Sequence, residues 1–414
     1  MKEFLTADMV RTSLANMGKL TFEVTDACNL QCRYCGYGKL YDNYDRRENK
    51  RLSLNAAKRL FDYLSELWSS EHNMCVDKTI NIGFYGGEPL LNMPFVKGMV
   101  EHIENKSIPE RNFEYSMTTN AMLLDRYMNF LADNKFRLLI SLDGNEYNNS
   151  YRTDKNGNSV FDTVIRNISL LQCTYSDYFK EYVNFNAVLH NRNSVEDIYS
   201  FIKTNYGKTP SIGEINSVGV RKEAEEDFQE MRNSYNASYM QAGKPDDLQK
   251  DNDLDFPGYK EVIDYIFEYS GFVYNDYFEL MFGKSPKKIP TGTCIPFGKD
   301  LFVTVNGKIF PCEHIGHKHP LGWINEDIIH IDEQEIADLY NVYFSKVDRQ
   351  CRSCKIAGLC TQCIFNMDKL DMHPVCNNRI SCDREFDKYS LFVKNFLRKH
   401  PGSYHKIMKE VILH

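Results

Sequence analysis

Three cysteines stand within eight residues, at Cys28, Cys32 and Cys35 in the run CNLQCRYC. Thiolates are soft donors that take iron–sulfur clusters or zinc. Iron–sulfur clusters normally take four cysteines, so three thiols on one loop hold three corners of a [4Fe–4S] cube and leave the fourth iron open to a substrate or cofactor. Zinc is the competing reading. A structural zinc site wants four protein ligands, commonly from paired CxxC hooks, and no fourth Cys or His follows before His72.

A second group starts at Cys294. Cys294, Gly307 and Cys312 follow a Cys-x12-Gly-x4-Cys pattern, Cys351, Cys354, Cys360 and Cys363 read CxxC-x5-CxxC, and Cys376 and Cys382 come last. Eight thiols make two sets of four. This spacing suits zinc as well as iron, the more so with His314, His317 and His319 beside Cys312. In VTVNGKIFPC, Asn306–Gly307 reads as a hairpin turn that brings Cys294 and Cys312 together. Of thirteen cysteines only Cys75 and Cys173 stand apart from these groups, a distribution that fits metal ligands better than disulfides.

Regular elements must carry these residues. From residue 19 short β-rich runs alternate with longer stretches of helical period, the pattern of an α/β fold with a parallel sheet. The runs are 19–25, 79–87, 113–120, 137–144, 182–189 and 213–220, which makes six β/α units. Residues 53–68 space Ala57, Leu60, Leu64 and Trp68 on one helix face. The cysteine triplet, Gly86 to Pro89, Asn120 and Asp143–Gly144 each follow a strand, and C-terminal strand ends line the ligand site in such folds. Residues 1–18 form an N-terminal extension, 19–220 the parallel unit, 221–290 a charged connector, 291–395 a small cysteine-rich domain and 396–414 a tail. A domain as small as the fourth needs metal staples.

Composition narrows the partners. A formal charge of -7, from 50 Lys and Arg against 57 Asp and Glu, argues against nucleic acid. No stretch reaches the ~18 apolar residues of a membrane span, so a cytoplasmic location without membrane association is expected.

The triplet, with aromatic Tyr34 before its last cysteine, resembles that of the radical S-adenosylmethionine superfamily. So do GFYGGEP (Gly83 to Pro89) and SLDG (Ser141 to Gly144) followed by YRTDKNGNSVFDTVIRNI. The resemblance implies a partial (β/α)6 TIM barrel whose open iron binds S-adenosylmethionine, and a 5′-deoxyadenosyl radical that abstracts a hydrogen atom. It assigns the loop of Gly86, Gly87, Glu88 and Pro89 to the cofactor's amino group, and Ser141 and Arg152 to its carboxylate and ribose. Asn120 falls near the cofactor and Tyr34 near the adenine. A turn before a helix, a surface Arg and a packed aromatic are the bland alternatives for these residues.

The region from Cys294 resembles the SPASM domain, which carries two auxiliary [4Fe–4S] clusters in enzymes that mature peptides and proteins. The resemblance gives Cys294, Cys312 and Cys363 to one cluster, and Cys351, Cys354, Cys360 and a downstream cysteine, Cys376 or Cys382, to the other. Glu313 falls where some sulfatase-maturing relatives place a catalytic acid, and a salt-bridged Glu is the alternative. The implied function is a maturase that installs thioether or carbon–carbon crosslinks in a ribosomally made peptide. It would draw on a low-potential donor of flavodoxin or ferredoxin type and on a separate leader-binding partner. Formylglycine formation in sulfatases, and a non-catalytic Fe–S or zinc adaptor, are the alternatives.

Overall fold

The computed structural model describes residues 3–73, 79–109, 111–243, 289–354, 362–367, 369–376 and 394–402. Six parallel strands run in sequence order: β1 (Lys19–Thr25), β2 (Thr79–Gly86), β3 (Asn112–Thr119), β4 (Arg137–Ser141), β5 (Val183–Leu189) and β6 (Ser211–Glu214). Helices follow the strands, among them α2 (Leu54–Trp68), α3 (Met93–Glu104), α4 (Leu124–Asp133), α5 (Phe161–Thr174), α6 (Ser176–Tyr182) and α7 (Val195–Tyr206). Ser53 starts α2 by accepting from the Ala56 N–H, and Ala57, Leu60, Leu64 and Trp68 are buried as their spacing predicts.

Strand alternation separates two environments. On β5, Val183, Phe185, Ala187 and Leu189 are buried, while Asn184 and Asn186 alternate with them and line interior cavities. The sheet curls around that interior. One cavity of about 370 Å³ touches Thr21, Gly83, Ser116, Leu139 and Asn184, from five successive strands, which a flat sheet with ~4.8 Å between strands would spread over ~19 Å. The fold is thus the expected α/β partial barrel.

Two strands differ from the sequence reading by more than one residue at their ends. β4 stops at Ser141, because Gly144 takes φ +120° and the chain turns away. β6 spans Ser211–Glu214 rather than 213–220. Beyond it the Asn216 side chain accepts from the Val218 N–H and Gly219 sits at φ +76°, so residues 216–219 turn.

The cysteine-rich region extends the barrel's own sheet. β7 (Leu301–Val303) pairs parallel with β1, Leu20 opposite Leu301, and β8 (Lys308–Phe310), β9 (Gly322–Ile324) and β10 (Ile329–His330) continue antiparallel. The β7–β8 turn holds Gly307 at φ +75°, where a Cβ would meet the Ile324 carbonyl at 2.0 Å, so the predicted hairpin needs its glycine. The N-terminal extension is helical: α1 (Ala7–Ala15) packs on the long helix Glu333–Arg352. Asn341 on that helix accepts from the Phe4 and Leu5 N–H groups and donates to the Leu5 carbonyl. In the connector, α8 (Glu225–Met231) buries Phe228 and Met231 against Tyr34, Tyr41 and Tyr151. A second short helix, α9 (Tyr235–Met240), follows it, and Glu333–Arg352 becomes α10.

His317 is buried beside stacked Phe310, and its Nδ1 accepts from the Asp45 N–H at 3.2 Å. Burial pushes its imidazole down from the ordinary 6.5 to about 4, more than nearby Asp45 restores. The unfolded chain therefore binds a proton between pH 6.5 and 4 that the folded chain refuses. This contribution is present above 6.5 and lost as pH falls towards 4. Denaturant titrations should show about 2 kcal/mol less stability at pH 5 than at pH 7 from this group, and His317→Phe should flatten the slope. Equal slopes would refute the assignment.

Candidate active site

A cavity of about 580 Å³ opens at the C-terminal strand ends, lined by Cys28, Cys32, Cys35, Tyr34, Gly86, Gly87, Glu88, Asn120, Ser141, Arg152 and Glu313. All eleven are sequence-predicted residues, Glu313 among them, drawn from across the chain. Pro89 is buried and opens a short 3₁₀ turn; it does not line the cavity.

The cysteine loop is held by backbone bonds. Gln31 N–H donates to the Thr153 carbonyl (2.8 Å), Arg33 N–H to Tyr151 (3.0 Å) and Cys35 N–H to Cys32 (3.2 Å). Gly87 and Glu88 donate to the carbonyls of Thr25 and Ala27, each at 2.9 Å. This crossing explains the glycines: a Cβ on Gly86 would lie 2.2 Å from the Thr25 oxygen, and one on Gly87 2.1 Å from that of Ala27. Their smallness lets β2's end pass against the cysteine loop.

Glu88 is buried and turned to protein partners. It accepts from Thr119 Oγ1 and Asn120 N at 2.8 Å and from Leu90 N at 3.1 Å, which ties the end of β2 to the end of β3. Burial raises its carboxyl to about 7 in spite of these donors. Asn120, so fixed, donates to Asn29 Oδ1 at 2.8 Å and points Nδ2 at the Cys28 sulfur, 3.8 Å away.

Asp143, in SLDG, is fully buried and grips Arg152 through Nε and Nη2, both at 2.9 Å. It also accepts from the Val188 N–H at 2.9 Å and from the Tyr34 hydroxyl. Burial alone would raise this carboxyl, but Arg152, His190 and Tyr34 bring it down to about 2. The fork leaves the Nη1 edge of Arg152 outside the pair, in a residue that lines the cavity. Tyr34 stacks on His190, with ring centroids 5.6 Å apart, and Arg152 lies 5.4 Å over its ring.

Glu313 lies on the wall between this cavity and the 370 Å³ cavity below, since it lines both. Lys19 Nζ lies 3.4 Å from Glu313 Oε1 and 3.3 Å from Asp300 Oδ2, and Thr21 Oγ1 bonds Asp300 at 3.0 Å. Burial works against both carboxylates. It raises Asp300, while at Glu313 Lys19, His314 and the hydrogen bond from Asp300 together overcome it and hold that carboxyl below its usual range. The salt-bridged alternative and the cavity position therefore both hold for Glu313.

Cys294, Cys312 and Cys363 gather in a second place: Cys312 and Cys363 pack on one cluster with Phe302 and Phe310, and Thr293 Oγ1, beside Cys294, accepts from the Ile364 N–H at 2.8 Å. Burial, then the adjacent Glu313 and after it Cys363 and Cys294, pushes the Cys312 thiol well up, and burial pushes Cys363 up to about 12. Cys351 lies in the last turn of α10 and Cys354 just beyond it, and Gln350 Nε2 donates to the Pro374 carbonyl at 3.2 Å, which carries the loop bearing Cys376 alongside. Cys360 and Cys382 lie outside the described residues. His319 sits against Tyr343 and His314 is largely exposed, so the three histidines diverge.

The donor chemistry fits a metal cluster in the first loop. Burial pushes the Cys28 thiol up to about 11 and Cys32 up to about 12, so a polycationic body is needed for these sulfurs to bind as thiolates together. Among the described residues no three His, Cys, Asp or Glu side chains close on one point for a single ion. The thiols instead border a cavity wide enough for a larger body.

Residues 22–234 match the Radical SAM superfamily, and the chain belongs to it. It is therefore an enzyme rather than a passive adaptor, and its family implies S-adenosylmethionine and a [4Fe–4S] cluster. A cysteine-type anaerobic sulfatase-maturating enzyme of Clostridium novyi is 24% identical over 84% of this chain and 87% of its own length. The radical SAM cyclopropyl synthase TigE of Paramaledivibacter caminithermalis is 20% identical over 91% of this chain and 73% of its own. The solved structure of native anSMEcpe with bound AdoMet superposes with a TM-score of 0.56 at 19% identity, covering 94% of this chain and 99% of that one. It supports the fold.

Sequence reasoning missed Tyr85, Asn186 and Asn366 on the cavity wall. Asn186 was accessible through strand alternation, since it shares a face with Asn184; Asn366 follows a cysteine in a stretch without period.

Proposed function

We propose that this chain is a maturase that oxidises a residue of a peptide or protein substrate at carbon, its product a thioether or carbon–carbon crosslink in a ribosomally made peptide. The observation that carries this reading is the convergence of the three-thiol loop, Ser141, Arg152 and Glu313 on one cavity. When bound, the cluster and S-adenosylmethionine supply the 5′-deoxyadenosyl radical that takes a hydrogen atom from an unactivated carbon. Cys28, Cys32 and Cys35 would hold the cluster. The Gly86–Gly87 backbone would meet the cofactor's amino group, Ser141 and the Nη1 edge of Arg152 its carboxylate and ribose, and Tyr34 would border the adenine.

Two-electron oxidation of the substrate also needs an electron and a proton to leave. Glu313 would take the proton at the cavity wall, held there by Lys19. Cys294, Cys312 and Cys363, and separately Cys351, Cys354 and Cys360 with Cys376 or Cys382, would hold auxiliary clusters as electron acceptors. A flavodoxin- or ferredoxin-type donor would feed the first cluster.

Formylglycine formation is the second reading, favoured by sulfatase-maturating relatives that align over most of both chains. Anaerobic reactions with S-adenosylmethionine and dithionite decide between them, one arm with a cysteine-containing sulfatase-motif peptide and one with a precursor peptide encoded beside this gene. Loss of two hydrogens without an aldehyde, from the precursor alone, is the crosslink outcome. An aldehyde on the sulfatase peptide selects the alternative, and no product in either arm rejects both. Glu313→Gln should retain 5′-deoxyadenosine formation and lose product by ~10²-fold or more; undiminished product would remove its role.

A further inference from the structure

We propose that the Tyr340 hydroxyl donates a hydrogen bond to the cluster held by Cys294, Cys312 and Cys363, and thereby raises that cluster's reduction potential. The proposal rests on the auxiliary-cluster reading above. It concerns a residue on α10 that no part of that reading uses.

Tyr340 is fully buried, at 0% exposure. Its ring is fixed by edge-on contacts with Phe344, at 5.7 Å, and Phe365, at 5.3 Å. An all-apolar neighbourhood of that kind would accept phenylalanine. The hydroxyl nevertheless has no hydrogen-bond partner among the described residues, and none of the three cysteine sulfurs bonds it. Its ring partner Phe365 packs on the same core cluster as Cys312 and Cys363, and after burial itself the groups that act on the hydroxyl are Cys363, Cys294 and Cys312.

A phenol carries one strong donor, and buried donors in folded proteins are almost always paired. The acceptor assigned to it lies on the side of the three thiols, next to which its ring partner Phe365 packs. Thiol-bound clusters present inorganic sulfides there, and these accept hydrogen bonds. Such bonds stabilise the more negative, reduced form of a cluster, so they raise its potential. A cluster that is to draw an electron from a substrate radical gains from that shift.

The test uses full-length protein, reconstituted anaerobically, in which Cys28, Cys32 and Cys35 are alanine, so that only auxiliary clusters give signals. In this background Tyr340→Phe should keep its iron and sulfide, shift one midpoint potential downward in an EPR-monitored redox titration and leave any other in place. Pulsed ENDOR in deuterated buffer should show an exchangeable deuteron coupled to one cluster, lost on Tyr340→Phe. With the triplet intact, the same substitution should spare 5′-deoxyadenosine formation, which confirms the fold. Unchanged potentials and ENDOR at full iron content would overturn the hydroxyl's role alone, as would loss of iron on Tyr340→Phe, which would make the residue a requirement for assembly. Absence of iron from the parent would overturn the auxiliary-cluster reading and this proposal with it.

Discussion

Alanine at Cys28, Cys32 and Cys35 should yield a folded protein that forms no 5′-deoxyadenosine, a loss of ~10³-fold or more, with about four fewer irons per chain. The fold should survive because the loop's shape depends on other groups. Backbone bonds from Gln31 to Thr153 and from Arg33 to Tyr151 pin its outer side, and the Gly87 and Glu88 amides pin its base. The sulfurs line the cavity, and although Cys28 and Cys32 also pack against the core, each substitution removes a single atom there. Chromatographic assay of 5′-deoxyadenosine after dithionite reduction, beside iron analysis, checks both halves. Cys294→Ala and Cys351→Ala should behave differently, retaining part of the cofactor cleavage while product is lost. Cleavage by the triple variant at the parent's rate would remove the site assignment altogether.

Much of this arrangement can be read from residue order because barrel geometry is local. Each β/α unit presents its strand end to the same opening, so Cys28, Gly87, Asn120 and Ser141 needed only correct strands to converge. Their partners were a different matter. Nothing in the spacing of Asp143 and Arg152 fixes a two-pronged pair, and nothing in GGEP says that Glu88 faces Thr119 and Asn120 rather than a ligand. Those choices are made by which buried donors remain unmet once the chain has folded. Lys19, the first residue of β1, meets Asp300 and Glu313 only because β7 joins the sheet beside β1, a pairing across some 280 residues that no periodicity encodes. The same pairing makes the cysteine-rich region an extension of the barrel. Its strands are too short for a core of their own, and they gain one by completing the exposed edge of β1.

Asp143→Asn should be the most damaging single change outside the cysteines, and its two consequences are separable. Arg152 is nearly as buried as its partner, with side-chain exposures of 9% and 0%, so removing the carboxylate's charge leaves a guanidinium uncompensated in the interior. Breaking a buried pair on one side costs about 3–5 kcal/mol. The same change frees Arg152 and Tyr34 from their common anchor, so S-adenosylmethionine binding should weaken even where enough protein remains folded to measure it. Acid tests the charge itself. Because the folded carboxyl is depressed to about 2 from 3.8, its contribution is complete above 3.8 and disappears as pH falls through about 2. Asp143→Asn should lack that acid transition. A double-mutant cycle with Arg152→Met isolates the interaction, since the second substitution removes the stranded charge and should return part of the lost stability. If the two losses simply add, Asp143 and Arg152 are not coupled. The SLDG aspartate would then matter only for its bonds to the Val188 amide and the Tyr34 hydroxyl, and the cofactor's carboxylate would have to be oriented by Ser141 without a braced arginine beside it.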